Sequence, residues 1–265
     1  VLIANAYSRF LKRGLAEMKR LDTLMSVGLF SLCLMFMAQI STAVTLDDAI
    51  GIWLFDDGTG DTAADSSGNG NDGILMEGPQ WVDGKFGDAL SFDVEGPFVR
   101  IEVPSVQLSS WTAMIWINPV NPGAGHYQGL IQAWPNQGEF QIDTNGAVGV
   151  HPVYGGSLEA NEWSHVAALV DNNNVQVYIN GEEVISGAVG AVTFVQIGIG
   201  DLYEVPPGFN YKFTGIVDEV AIFNKAIAES DIQEIMNEGL GNVMGITAVS
   251  GSGKVAATWG KMKAK

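Results

Sequence analysis

The run Asp65-Ser66-Ser67-Gly68-Asn69-Gly70-Asn71-Asp72-Gly73 gathers two carboxylates, two carboxamides, two hydroxyls and three glycines into one short loop. Ca²⁺ takes hard oxygen donors at this density, completing a shell of about six to eight with carbonyls and water. The same residues are turn formers: Gly takes positive φ, and Asn and Asp side chains bond nearby backbone. The run therefore reads either as a cation loop or as a polar turn closed by its own side chains. It is not an EF-hand, which needs Asp-x-Asp-x-Asp-Gly and a closing Glu.

A second group of residues suits sugar recognition. His126-Tyr127-Gln128, Trp134-Pro135-Asn136-Gln137, His151, Tyr154, Tyr203 and Phe209-Asn210-Tyr211 place aromatic rings beside polar hydrogen-bonders in loop-like contexts. Exposed rings stack on the C–H face of a sugar while polar neighbours fix its hydroxyls. Tyr127, Trp134, Tyr154 and Tyr211 are the ligand-binding candidates; ordinary packing at a loop rim is the other account of them. Trp53, Trp81, Trp111, Trp116 and Trp163 stand in apolar strand contexts and are expected in the core.

Catalytic arrangements are poorly represented. Glycoside hydrolysis needs two carboxylates about 5–9 Å apart across the scissile bond. Glu139 and Asp143 fall on one strand face without a third acid, and adjacent Asp218 and Glu219 are expected on opposite faces of a strand. His165, beside Trp163, reads as a packed, hydrogen-bonded structural residue. The chain is expected not to be an enzyme.

The elements that position these residues are short strands. Apolar strands are expected at Gly51–Asp57 and Gly73–Met76 on either side of the oxygen-rich loop, and Ala89–Asp93, Phe98–Val103, Trp111–Ile117, Gly129–Trp134, Glu139–Asp143, Val148–Pro152, Trp163–Val170, Val175–Ile179, Glu183–Ser186, Thr193–Gly198 and Gly215–Phe223 are short apolar-alternating runs between turn signals. Asn145-Gly146 and Asn180-Gly181 favour hairpins with positive φ at both positions. Asp171-Asn172-Asn173-Asn174 reads as a longer polar loop. One helix is expected from Ser230, capped by Ser230 with Gln233 and stopped at Gly239, as a lid on an open end of the sandwich. The pattern predicts an all-β, two-sheet antiparallel sandwich with one short C-terminal helix.

Several motifs occur in order: Trp53-Leu54-Phe55-Asp56, the Asp65–Gly73 loop, Gly84-Lys85-Phe86-Gly87-Asp88-Ala89-Leu90-Ser91-Phe92, Trp163-Ser164-His165-Val166-Ala167, Val177-Tyr178-Ile179-Asn180-Gly181 and Gly215-Ile216-Val217-Asp218-Glu219-Val220-Ala221-Ile222-Phe223-Asn224. Together they resemble the laminin-G-like, concanavalin A-like lectin/glucanase domain of secreted bacterial proteins, over about residues 48–240. The resemblance implies a jelly roll and a structural Ca²⁺, with Asp65, Asn69, Gly70 and Asp218 as the metal candidates. Such an ion would pin the N-terminal strand to the strand bearing Asp218. Glucanases of this fold carry Glu-x-Asp-x-x-Glu on one strand, and no such run occurs here. Where the family pattern often has a Glu, this chain has Met114 and Ile115. The implied role is a non-catalytic binding module for a glycan, or for an extracellular protein in adhesion. Fold resemblance alone decides neither.

Charge narrows the partners. The chain carries −17 overall, but residues 44–240 hold 28 Asp/Glu against 4 Lys/Arg, a net −24. Such a body repels nucleic acid and anionic membranes. Residues 1–17 read as upstream sequence, with Met18 as the expected start. Lys19 and Arg20, the uncharged stretch 24–40 and Ser41-Thr42-Ala43 form a signal-peptide pattern, with a transmembrane anchor as the alternative. No membrane contact is expected beyond that segment. The sole cysteine, Cys33, lies inside it, so residues 44–265 have no disulfide chemistry. The expected domains are 1–43, the jelly roll 44–240, and a basic Gly/Ser/Lys tail 241–265. The expected location is secreted, periplasmic or cell-surface.

Overall fold

The computed structural model describes residues 43–93, 96–136, 138–201 and 211–246, the side chains of 134–136 excepted. The expected signal segment and most of the tail lie outside them. No helix among the described residues is long and apolar enough to cross a membrane.

Among the described residues, sixteen strands form two antiparallel sheets. They are β1 (Ala49–Trp53), β2 (Thr62–Ala63), β3 (Gly73–Met76), β4 (Gln80–Asp83), β5 (Asp88–Phe92), β6 (Phe98–Leu108), β7 (Trp111–Pro119) and β8 (Gln128–Asn136). The series continues with β9 (Gly138–Ile142), β10 (Val148–Val150), β11 (Val153–Gly155), β12 (Ser164–Asp171), β13 (Asn174–Ile179), β14 (Glu182–Ala188), β15 (Val192–Ile199) and β16 (Gly215–Phe223). The first sheet runs β14-β13-β12-β7-β16-β5-β4, with β1 also on β16; the second runs β11-β10-β9-β8-β15-β6-β3-β2.

Alternation divides each strand between two faces. Ala113, Ile115 and Ile117 of β7 pack with Ile131 and Ala133 of β8 and Phe140 and Ile142 of β9 in the core between the sheets. Met114, Ala167, Leu169 and Tyr178 face the other side of the first sheet. There they meet Ile232 and Ile235 of α1 (Glu229–Glu238) and Leu240 of α2 (Leu240–Val243). The helix therefore covers a sheet face; it does not close an end of the sandwich. Its N-cap is Ala228, without a side-chain cap bond, because the helix begins before Ser230. Gln233 instead donates to Gly181 O (3.2 Å) and Glu229 Oε1 (3.1 Å), tying the helix to a hairpin. Gly239 closes it with φ 83°.

The turns obey local chemistry. Asn180 and Gly181 both have positive φ (51° and 79°), as a primed hairpin turn requires. Asp171 pairs with Asn174, so the expected longer loop is a two-residue turn in which Asn172 and Asn173 take φ 47° and 63°. At Asn145-Gly146 only the glycine is positive, and Asp143 Oδ1 holds the turn by accepting from Asn145 N (2.8 Å) and Ala147 N (2.9 Å).

Candidate functional site

The oxygen-rich loop closes on itself and on β1. Asp65 Oδ1 accepts from Ile52 N (3.0 Å) and Ser67 N (2.9 Å), and Oδ2 accepts from Asn71 N (3.0 Å). Asn69 Nδ2 donates to Ala49 O (2.9 Å), Asn71 Nδ2 donates to Ile50 O (2.8 Å), and Ser66 N donates to Ile52 O (2.7 Å). The loop thus serves β1 as a substitute neighbour, satisfying edge groups that would otherwise lack partners.

Asp218 lies in a different setting. Strand β5 pairs with residues 215–217 of β16 and β1 with residues 220–223, so Asp218 and Glu219 fill the break between two end-to-end strands. Asp218 Oδ2 accepts from Lys85 N (2.8 Å) and Phe86 N (2.9 Å) of the β4–β5 turn, while its buried Oδ1 has no protein partner. Glu219 sits at φ 47° in a bulge and accepts from Leu240 N. The bulge breaks the alternation, so both carboxylates are buried on the helix side and not on opposite faces. Burial, with neighbouring carboxylates, pushes Asp218 up to about 8 and Glu219 up to about 7.

The expected Ca²⁺ ligands therefore do not fit one shell. Asp65 already takes three backbone N–H groups, Gly70 is exposed in the loop, and Asp218 is bound to another turn. Among the described residues, no three His, Cys, Asp or Glu side chains gather at metal-binding range.

The aromatic candidates come together. Tyr127 precedes β8, Tyr154 is central in β11, and Tyr211 lies shortly before β16. Tyr127 stacks on Tyr211 at 6.3 Å and 28°, and its ring lies 6.0 Å from that of Tyr154. Backbone contacts set these positions. Gly129 N donates to Tyr211 O (2.6 Å), and Gln128 Nε2 secures the loop bearing Tyr127 through Asn121 O (2.9 Å) and Pro122 O (3.0 Å). The Trp134 side chain and Tyr203, Phe209 and Asn210 lie outside the described residues.

Tyr127 and Tyr211 border an open cleft of about 490 Å³, lined also by Glu139, Gln141, His151, Pro152 and Gly190, with Tyr154 held beside it against the Tyr127 ring and Gln141. Its floor follows from register. Phe140 and Ile142 enter the core, so Glu139 and Gln141 must face outward. Gln132 of β8 is opposite Glu139, while Gly129 and Gly149 flank Gln141. A hydrogen-bond chain crosses this floor. Gln132 Nε2 donates to Gln141 Oε1 (3.2 Å), Gln141 Nε2 donates to the Tyr154 hydroxyl (2.6 Å), and that hydroxyl lies 3.3 Å from His151 Nδ1. Burial raises both Tyr154 and Tyr211 above the usual phenol range.

Sequence reasoning places Glu139 in a possible acid pair and misses Gln132 and Gln141. The Glu-Phe-Gln-Ile alternation carries the signal: two polar side chains on one face of a strand whose other face is core. Asp143 turns away into its loop, so the two acids do not pair across the cleft. His165 is packed against Trp116 (5.4 Å), as expected, but neither ring nitrogen has a protein partner, and burial lowers it to about 3. Of the tryptophans expected in the core, Trp53, Trp111 and Trp116 are buried, whereas Trp81 and Trp163 are partly exposed.

The sequence of residues 94–233 matches the model of the concanavalin A-like lectin/glucanases superfamily. The chain belongs to this superfamily. No curated protein sequence matches it. Among solved structures it is similar to domain 4 of AbnA, a GH43 extracellular arabinanase from Geobacillus stearothermophilus, solved in complex with arabinotriose. That likeness has 22% identity and a TM-score of 0.57, and it covers 71% of this chain and 98% of that one. It is also similar to the binding domain of Paraclostridial Mosquitocidal Protein 1 (18% identity, TM-score 0.54, covering 72% of this chain and 52% of that one). The ligand-binding domain of botulinum neurotoxin serotype D, in complex with N-acetylneuraminic acid, shows 16% identity and a TM-score of 0.53 over 73% of this chain and 51% of that one. This superfamily member thus spans nearly all of the arabinanase domain and about half of each toxin domain. At these identities the likeness establishes the fold.

Proposed function

We propose that this domain is a non-catalytic carbohydrate-binding module whose glycan lies in the Tyr127–Tyr211 cleft. The observation that carries the reading is the clustering of three rings from distant connections, two of which, Tyr127 and Tyr211, line one open cleft with polar groups on its floor. Rings supply flat apolar faces for sugar C–H groups, and Glu139 and His151 supply acceptors and donors for hydroxyls, while Gln141 holds Glu139 and Tyr154 in place. The arabinotriose complex of the arabinanase domain supports a glycan as occupant. Glu139 is the sole carboxylate among the described lining residues, which supports binding over two-carboxylate hydrolysis. The signal-like segment supports work outside the cytoplasm.

A glycan array probed with the protein tests this. Binding to at least one oligosaccharide is expected, with a loss of about tenfold or more in Tyr127→Ala at unchanged melting temperature. A silent array, or a Tyr127→Ala variant that binds normally, overturns the reading.

A further inference from the structure

We infer that the cleft selects uncharged glycans and rejects uronate and other anionic sugars, with Glu139 as the specificity-determining residue. This deepens the carbohydrate-binding reading and rests on it. Glu139 is partly exposed on the cleft floor, where its carboxylate meets the ligand; Gln141 Nε2 lies 3.5 Å from Oε2. A carboxylate accepts hydrogen bonds from sugar hydroxyls but only repels another carboxylate.

No Lys or Arg among the described lining residues offsets it. Between residues 44 and 240 there are four Lys or Arg residues. Lys85 lies over the Trp116 ring at 4.6 Å, on the first sheet. Lys225 is paired with Asp48 at 2.7 Å. Lys212 follows Tyr211 directly, yet its side chain runs against Gly96. Arg100 is on β6, separated from the β9 strand of Glu139 by β15 and β8, roughly 14 Å at the usual spacing between strands. Asp143 lies at the end of β9, and the body carries a net −24. Recognition of an anionic sugar calls for an Arg or Lys to meet its charge. This cleft presents the opposite sign, in a field of the same sign.

The test uses oligosaccharide pairs with one backbone that differ only at C6, hydroxymethyl against carboxylate: β-1,4-mannan with β-1,4-mannuronan, and cello-oligosaccharides with their C6-oxidised forms. Titration calorimetry at low and moderate salt measures both members of each pair. The wild-type protein is expected to bind a neutral member at least about tenfold more tightly than its uronate, with the gap narrowing as salt rises. Glu139→Gln keeps the shape and is expected to shrink the gap; Glu139→Lys is expected to reverse it. Equal binding of uronate and neutral forms by the wild type overturns this inference and leaves the binding reading standing. An unchanged gap in well-folded Glu139→Gln removes Glu139 from the role. Failure to bind any glycan on a broad array overturns the binding reading itself.

Discussion

Gln141 Nε2 donates to the Tyr154 hydroxyl oxygen across 2.6 Å. Its other hydrogen faces Glu139 Oε2, and the Tyr154 hydroxyl lies 3.3 Å from His151 Nδ1, to which it can donate when the imidazole carries its proton on Nε2. In that tautomer His151 Nε2–H is a donor at the cleft wall. Sheet pairing sets the relationship: Gly149 of β10 is opposite both Gln141 and Tyr154, and it places them on one face with no side chain between.

Tyr154→Phe keeps the ring and removes the relay. Glycan affinity is expected to fall about tenfold, because His151 Nδ1 and Gln141 each lose a hydrogen-bond partner. Stability is expected to change by about 1 kcal/mol, the usual worth of one such bond. Calorimetric titration measures the affinity. Nitrogen-15 shifts of the His151 ring, moving from the Nε2–H form toward a mixture, check the mechanism.

Asp65→Ala removes the acceptor of three backbone N–H groups and detaches the loop from β1. A loss of about 2–4 kcal/mol is expected, since each abandoned buried donor costs about 1–3 kcal/mol and water relieves part of it. Calcium stabilisation, implied by the family resemblance, is checked in the same melts. The loop bonds predict an unchanged wild-type melting temperature in chelator and an equal Asp65→Ala penalty with and without calcium. A wild-type drop in chelator would restore the ion.

The buried carboxyls make stability depend on pH. Asp218 at about 8 and Glu219 at about 7 titrate higher folded than their ordinary values of 3.8 and 4.5. Through that window the folded chain keeps protons that the unfolded chain has released. Stability is therefore greatest at the acidic end, falls as pH rises, and levels off above about 8. Each group contributes a slope of up to about 1.4 kcal/mol per pH unit. Asp218→Asn retains an acceptor for Lys85 N and Phe86 N and is expected to flatten the slope. Denaturant titrations between about pH 5 and pH 8 measure it.

The legible parts of the chain are those that local chemistry decides. Asn180-Gly181 specifies its turn because both residues tolerate positive φ, and the Val175–Ile179 alternation gives its two faces directly. The Asp171–Asn174 turn is less legible, since Asp171 and Asn174 look like loop residues yet pair as the last rung of a ladder. Asp218 is harder still. Its partners depend on a bulge at Glu219 and on two strands sharing one side of β16, neither written in residue type. Tyr127, Tyr154 and Tyr211 are individually visible as loop aromatics. Their convergence depends on strand order and on Gly129 N reaching Tyr211 O, both long-range.

Gly149 shows how closely the cleft depends on its sheet. A methyl group there would collide with Val153 O and lie 2.8 Å from Tyr154 Cα, both backbone atoms of the facing strand. Neither can yield as a flexible side chain would, so Gly149→Ala must part β10 from β11. Strand β11 is the edge of its sheet, and the damage is expected to stay there while the core between the sheets persists. Hydrogen exchange should lose protection over 148–155 and keep it over β12 and β16. Affinity should fall at least as far as in Tyr154→Phe, because the whole ring is displaced. Full protection at 148–155 together with lost binding would instead assign Gly149 to direct ligand contact.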